Sequence, residues 1–359
     1  MRILIVKLGS IGDIVHTLPA LAAIRRAVPG AELSWVVERR AAEILRDNPL
    51  LDRLIELDTK ALRRWRPLSG ETLLATRQQL QRLRASAFDV ALDFQGLLKS
   101  ATIARLSRAP RVYGFTRRSL REPASRLLLT HAVNVPLDTN VIRKNLALAA
   151  GALDISVPSD GDDFEFPIAV SPEQEREAQD AASLARGNFA ILNAGGGWTT
   201  KLWSAERFGA LADELLARHN LRSFVTYGPG EQELAEGVAR ASRTGAAQPL
   251  SLSLKGFYAL ARRASLYVGG DTGPTHLAVA AGAPVVGLFG PTEWWRNGSP
   301  RSRDVCVERT DIGCRTDCHR RACSAWICMD IEVARVLAAA DERLGRVAES
   351  KRVEALTIA

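Results

Sequence analysis

The sequence predicts an α/β protein built from two halves, each with a parallel sheet, and three observations predict it. Short apolar runs of strand length alternate with amphipathic runs of helix length along the 359 residues. A strand–turn–helix unit with a tight polar turn stands near each end, around residues 10 and 271. Between them, residues 157–170 break the pattern with acidic residues, Pro158 and Pro167, which places a linker there. The domains predicted are 1–165 and 166–359, with the last helix either in the second domain or packed back on the first.

The elements follow in order. Residues 2–7 form a buried strand, 8–13 a turn, and a helix opens at Ile14 with Val15, Leu18, Leu21, Ala22 and Ile24 at helical spacing. The glycines of the turn do not make G-x-G-x-x-G, so a dinucleotide fingerprint is not supported. Asp13 has two readings: a cap for the helix that follows, or a carboxylate at the carboxyl end of a strand, where open α/β sheets bind ligands. Strands are predicted at 33–37, 90–94 and 111–114, and helices at 70–85 and 143–150. The second half restarts with a strand at 189–193, a glycine-rich loop at 194–201 and a helix at 205–218. Strands at 223–227 and 266–268, a turn at 271–276, a small-residue helix and a strand at 284–289 complete it.

Two turns carry anion chemistry. At 271–276 a buried strand meets a helix, whose first N–H groups are unpaired and carry partial positive charge. A phosphate fits such a place. Asp271, Thr272, Gly273, Thr275 and His276 line it, with side-chain donors and little bulk. In the second loop Gly195, Gly196 and Gly197 expose backbone N–H groups, and Thr199, Thr200 and Lys201 follow, with Lys201 able to place a charge on a diphosphate. The bland reading of both is an ordinary connection in an α/β fold.

Composition narrows the function. The formal charge is +8 and 25% of residues are charged. A basic surface suits nucleic acid, an anionic membrane face or acidic substrates. No helix-turn-helix, RNA-recognition or zinc-finger signature is present and aromatics are only 6%, so a nucleic-acid partner is not expected. No apolar run approaches the roughly 18–20 residues that span a bilayer, and the start runs directly into a strand without a cleavage signal. Asp160-Gly161-Asp162 has the letters of a metal-holding D-x-D but lies in the linker; no catalytic metal and no cofactor are expected. Cys306, Cys314, Cys318, Cys323 and Cys328 lie close together, with His319 among them, spaced C-x7-C-x3-C-x4-C-x4-C. That is not the paired C-x2-C of common zinc sites; packed thiols, a structural metal and disulfides all stay open.

Three segments together resemble glycosyltransferase family 9, the ADP-heptose:lipopolysaccharide heptosyltransferases. They are Lys7-Leu8-Gly9-Ser10-Ile11-Gly12-Asp13-Ile14-Val15-His16-Thr17-Leu18-Pro19-Ala20; Asp93-Phe94-Gln95-Gly96-Leu97-Leu98-Lys99-Ser100; and Asp271 to Leu277 with Gly290-Pro291-Thr292. The likeness runs over most of the chain. It implies the GT-B architecture, two Rossmann-like domains with parallel sheets facing a central cleft. It implies metal-free, inverting transfer of heptose from ADP-heptose to the Kdo and inner core of lipopolysaccharide, by a cytoplasmic enzyme peripheral on the inner membrane. Arg63-Arg64-Trp65-Arg66 and Arg121-Glu122-Pro123 look like the type I enzyme, while the cysteine-rich segment looks more like type II.

By the same resemblance Asp13 is the catalytic base and Lys201 meets the donor near its phosphates. Glu231 contacts the ribose, unless it is only an acid at a helix start. Leu252 faces the adenine, unless it is simply core. The acceptor's acidic sugar falls to Arg63, Arg64, Lys99 and Arg121, since guanidinium groups pair bidentately with carboxylates and phosphates; for Arg63 and Arg64 a solvated charged face is the competing reading. Other functions consistent with the sequence are a GT-B enzyme on another nucleotide sugar, an epimerase of the same architecture (which has no use for acceptor arginines), or a non-catalytic basic nucleic-acid-binding protein.

Overall fold

The computed structural model describes residues 1–58, 81, 83–84, 86–314, 318 and 320–358. Arg63, Arg64, His319 and most of the helix expected at 70–85 lie outside the described residues. The chain divides into two compact units, Met1–Ala169 and Val170–Ala359. The boundary falls after Ala169 rather than after 165, because the segment before it is tied to the first unit. Phe164 and Phe166 are buried, Glu165 pairs with Arg26, and Asn48 Nδ2 donates to the Pro167 carbonyl at 2.7 Å.

The first unit holds six parallel strands: β1 (Arg2–Val6), β2 (Glu32–Glu38), β3 (Arg53–Leu57), β4 (Val90–Asp93), β5 (Arg111–Phe115) and β6 (His131–Val133). Their spatial order is β3-β2-β1-β4-β5-β6. Ile3 to Val6 are fully buried, as a central parallel strand covered on both faces requires. The second unit repeats the plan with β7 (Phe189–Asn193), β8 (Arg222–Thr226), β9 (Ala247–Leu250), β10 (Leu266–Gly270), β11 (Val285–Phe289) and β12 (Val305–Glu308). Its order, β12-β11-β10-β7-β8-β9, is the same doubly wound arrangement. In both sheets the winding reverses at the central pair, β1 with β4 and β7 with β10. Open α/β sheets bind ligands beyond the carboxyl ends of such a pair.

The sequence pattern predicts the eight inner strands and none of the four edge strands, β3, β6, β9 and β12. It also misplaces the first helix. That helix starts at Ile11, not Ile14, and ends at Val15; a second spans Leu18–Ala27. Pro19 has no N–H to offer the Val15 carbonyl, so the helix breaks and restarts there. Ser10 is the cap, and Asp13 stands inside the first turn, where its carboxylate accepts from the Ser10 N–H at 2.9 Å.

The last helix, Val333–Ile358, packs into the core of the second unit, the first of the two placements expected. Val336, Leu337 and Ala340 join Trp203, Phe208 and Val286 there, and buried Arg343 pairs with buried Asp304 at 2.9 Å. No helix among the described residues is long and apolar enough to cross a membrane.

Candidate active site

The two loops that the sequence marks for anion binding leave the carboxyl ends of β7 and β10, the central strands of the second unit. The β10 turn reaches its helix, Gly273–Ala280, through Thr272 as cap and Pro274 in the first turn. Pro274 suits that turn because its missing N–H would have no partner there. Thr272 Oγ1 donates to Asn193 Oδ1 at 3.1 Å, which ties the turn to the end of β7. Thr275 is buried, with its hydroxyl bonded to the Gly270 carbonyl and 2.9 Å from the Tyr267 hydroxyl. It therefore braces the turn from inside.

Asp271 holds Lys201 and His276 together. Lys201 Nζ donates to Asp271 Oδ2 at 2.6 Å and to its carbonyl at 3.0 Å. His276 Nε2 lies 3.1 Å from Asp271 Oδ1. Burial alone would push the Asp271 carboxyl up, but His276 and Lys201 outweigh it and hold it far below the usual carboxylate range. The Lys201 ammonium also sits 4.3 Å from the centre of the Trp198 ring. One side chain thus receives an ion pair, a backbone carbonyl and an aromatic face, and is fixed beside the start of a helix.

The glycine loop approaches closely on both sides. A Cβ on Gly195 would collide with the Glu231 carboxylate, and one on Gly196 would come 3.2 Å from Thr272 Cγ2. Gly197 is exposed. Thr199 and Thr200 turn their hydroxyls to the carbonyls of Arg321 and Arg320, at 3.2 and 2.7 Å. Glu231 stands at the start of the helix Gln232–Ala241, and its Oε2 accepts from the Gly228 N–H at 3.0 Å. The helix-start reading of Glu231 is therefore realised, and it coexists with a carboxylate lying against Gly195. Leu252 is half-buried in the connection after β9 and is outside the unit's core cluster.

In the first unit the same strand ends gather Lys7, Asp13 and Asp93. Lys7 is 3% exposed; its ammonium donates to the Phe94 carbonyl at 3.0 Å and lies 3.6 Å from Asp13 Oδ1. Burial pushes the Asp13 carboxyl up, but the charges of Lys7 and His16 and the bonds from Ser10 outweigh it, leaving it below the usual value. Asp13 thus caps its own helix turn with one oxygen and presents the other toward Lys7. Asp93 is fully buried. Its Oδ1 accepts from the Gln95 and Gly96 N–H groups at 2.9 and 3.2 Å. Burial pushes its carboxyl up to about 6.

The basic candidates lie beside this cluster. Lys99, in the first turn of the helix Leu98–Leu106, pairs with Glu38 at the end of β2. Arg121 is exposed. Its neighbour Glu122 joins the Asp93 turn, with its N–H donating to the Gly96 carbonyl at 3.1 Å and its Oε2 accepting from the Leu98 N–H at 2.7 Å. The fold therefore brings Lys99 and Arg121 to one neighbourhood. Lys7, Asp93, Glu38 and Trp198 were not singled out from the sequence. For Lys7 and Asp93 the signal was there: each is an ionisable residue ending a buried apolar run.

The sequence profile of glycosyltransferase family 9 (heptosyltransferase) matches residues 76–325. Lipopolysaccharide heptosyltransferase 1 of Pseudomonas aeruginosa is 35% identical over 294 residues, covering 81% of this chain and 79% of that protein. Among solved structures, Escherichia coli heptosyltransferase WaaC with ADP superposes with a TM-score of 0.72 at 27% identity, over 86% of this chain and 93% of that one. The same enzyme with ADP-2-deoxy-2-fluoro heptose gives 0.69 at 28% identity, over 82% and 90%.

Proposed function

The chain belongs to glycosyltransferase family 9, the heptosyltransferases, and from that membership we propose that it moves heptose from ADP-heptose to the Kdo of the lipopolysaccharide inner core, as a type I enzyme. It is a glycosyltransferase with the GT-B fold; the donor, the acceptor and the residue roles are our reading. The observation that carries the reading is the Lys201–Asp271–His276 cluster, fixed beside a glycine loop and a helix start at the central strands of the second unit.

In this reading the second unit binds the donor. The diphosphate meets the N–H groups of Gly195 to Gly197 and of the start of the helix Gly273–Ala280, with Lys201 supplying a full charge. Glu231 takes the ribose hydroxyls, and Leu252 flanks the base. The first unit takes the acceptor, whose carboxylate and phosphates meet Lys99 and Arg121, with Arg63 and Arg64 as further basic candidates. An acceptor hydroxyl attacks the anomeric carbon and the bond to ADP breaks. Asp13, ionised at neutral pH, receives the hydroxyl proton. Lys201 and the helix N–H groups stabilise the negative charge on departing ADP. No divalent cation is needed, because the protein supplies that positive charge. The basic chain meets its anionic glycolipid on the cytoplasmic face of the inner membrane as a peripheral protein.

The test has two arms. ADP and ADP-heptose should raise the thermal unfolding temperature while UDP-sugars do not, since a ligand that binds only the folded state stabilises it. ADP release from ADP-heptose should then require Kdo-lipid A. Protection by UDP-sugars alone, or ADP release indifferent to the acceptor, would overturn the reading.

A further inference from the structure

Four of the five cysteines surround a single pocket in the second unit. Cys314, Cys318, Cys323 and Cys328 line it with Thr200, Arg320 and Trp326, around a cavity of about 20 Å³. Cys306 is not among the lining residues; it lies on β12, with its Sγ 3.5 Å from Glu308 Oε2. The fold thus sorts the five cysteines into a cluster and an outsider, although in sequence they form one run. The N–H of Trp326 donates to Cys323 Sγ at 3.3 Å. The cysteines are unpaired by disulfides.

Four thiols converging on one partly buried pocket repel once ionised, unless a cation joins them. Their separations of three, four and four residues fall within the two to four usual for neighbouring ligands in structural zinc sites. Arg320 at the pocket offsets part of the charge that four thiolates and one divalent ion would leave. Among the described residues no group of three or more His, Cys, Asp or Glu side chains is placed to hold a metal ion, so binding requires the thiols to move from the positions they occupy.

The same loop grips the glycine-loop turn Thr199–Lys201. The carbonyls of Arg320 and Arg321 accept from Thr200 and Thr199. Trp326 Nε1 donates to the Thr200 carbonyl at 2.9 Å. The Arg321 guanidinium stacks 5.1 Å from the centre of the Trp198 ring, whose other cation is Lys201.

We propose that Cys314, Cys318, Cys323 and Cys328 bind one thiophilic divalent ion of the zinc or iron(II) class, and that this ion fastens the cysteine loop onto the turn carrying Lys201. Binding releases the four thiol protons to solvent and forms four metal–sulfur bonds, with no change of oxidation state. The ion is structural and takes no part in the transfer. Only the fastening role rests on the reading of the glycine loop as the donor-phosphate site.

The experiment uses the full chain, purified under reducing conditions and assayed for metal by mass spectrometry. About one zinc or iron per chain is expected. It should be kept by Cys306→Ser and lost from the double variant Cys318→Ser, Cys323→Ser. Reduced apoprotein should also bind Co²⁺ with thiolate-to-cobalt absorption bands, a readout that does not depend on the variants folding. Absence of those bands, or metal retained in a folded double variant, overturns the site. ADP affinity measured before and after metal removal tests the fastening: several-fold weakening is expected, and an unchanged affinity overturns that role. A metal-loaded wild type that does not bind ADP at all would instead refute the donor assignment.

Discussion

Replacing Lys201 with Ala separates the ion pair seen in the structure from the donor contact proposed for the same ammonium group. Lys201 and Asp271 are both largely buried, with side chains 13% and 7% exposed. Removing the ammonium takes two bonds from Asp271, to its carboxylate and its carbonyl. The carboxylate keeps His276 at 3.1 Å and a long contact to Asn297 at 3.5 Å. Breaking a buried pair by removing one partner costs about 3–5 kcal/mol; with His276 still present we expect the lower end, about 3 kcal/mol. Because the folded carboxyl titrates far below its usual range, this stability is fully present above about pH 4 and is lost only as pH falls further. Separately, a charge-assisted contact to the donor phosphate is worth about 1.5–3 kcal/mol, or roughly 10- to 100-fold in ADP affinity. The double variant Lys201→Ala, Asp271→Asn distinguishes the two losses. It removes the orphaned charge, so urea unfolding should return to within about 1 kcal/mol of wild type, while calorimetry still shows weak ADP binding. Wild-type stability in the single variant would refute the structural role of the pair. Recovery of ADP affinity in the double variant would refute direct contact between Lys201 and phosphate.

Asp13→Asn keeps an oxygen for the Ser10 N–H, so fold and ADP affinity should hold while turnover falls by about two to four orders of magnitude; near-normal turnover would leave Asp13 as a helix cap. Asp93→Asn should stabilise the chain at pH 8, because the folded wild type holds a proton between the ordinary value of 3.8 and about 6 that the unfolded chain releases. Wild-type stability therefore falls as pH rises through that window, by about 3 kcal/mol at most. Urea midpoints should differ at pH 8 and converge toward pH 4; a difference that is independent of pH refutes the shifted carboxyl. Turnover should survive EDTA without added cations, and a loss reversed by Mg²⁺ or Mn²⁺ would sink the metal-free mechanism. A loss reversed only by zinc or iron, with recovery of stability, is the outcome expected if the cysteine site is stripped.

The low-lying carboxyl of Asp13 has a consequence for mechanism. A carboxylate held by Lys7 and Ser10 is a weak base, so it cannot deprotonate a sugar hydroxyl before attack. In the proposed transfer it would receive the proton only late, once the new bond to the anomeric carbon has made the hydroxyl acidic. The buried Lys7 lies 3.6 Å from Asp13 and favours its ionised form.

The eight inner strands and the positions of both glycine-containing turns at the ends of β7 and β10 could be read from the sequence alone, and the physical reason is local. A strand covered on both faces must be apolar throughout, as Ile3 to Val6 and Val285 to Phe289 are. A helix that opens onto a ligand needs small residues and glycines at its start. Edge strands carry no such signal: β3 and β6 have one buried position between them, Ile55. Tertiary structure alone decided which distant residues meet. Lys7 reaches the Phe94 carbonyl 87 residues away only because β1 and β4 are neighbours. Glu231 comes to lie against Gly195 because β7 and β8 are paired. The sequence likewise shows five cysteines in a run, and the fold chooses four of them for one pocket. A local pattern records whether a segment is buried, whereas strand order and loop crossings determine what it is buried against.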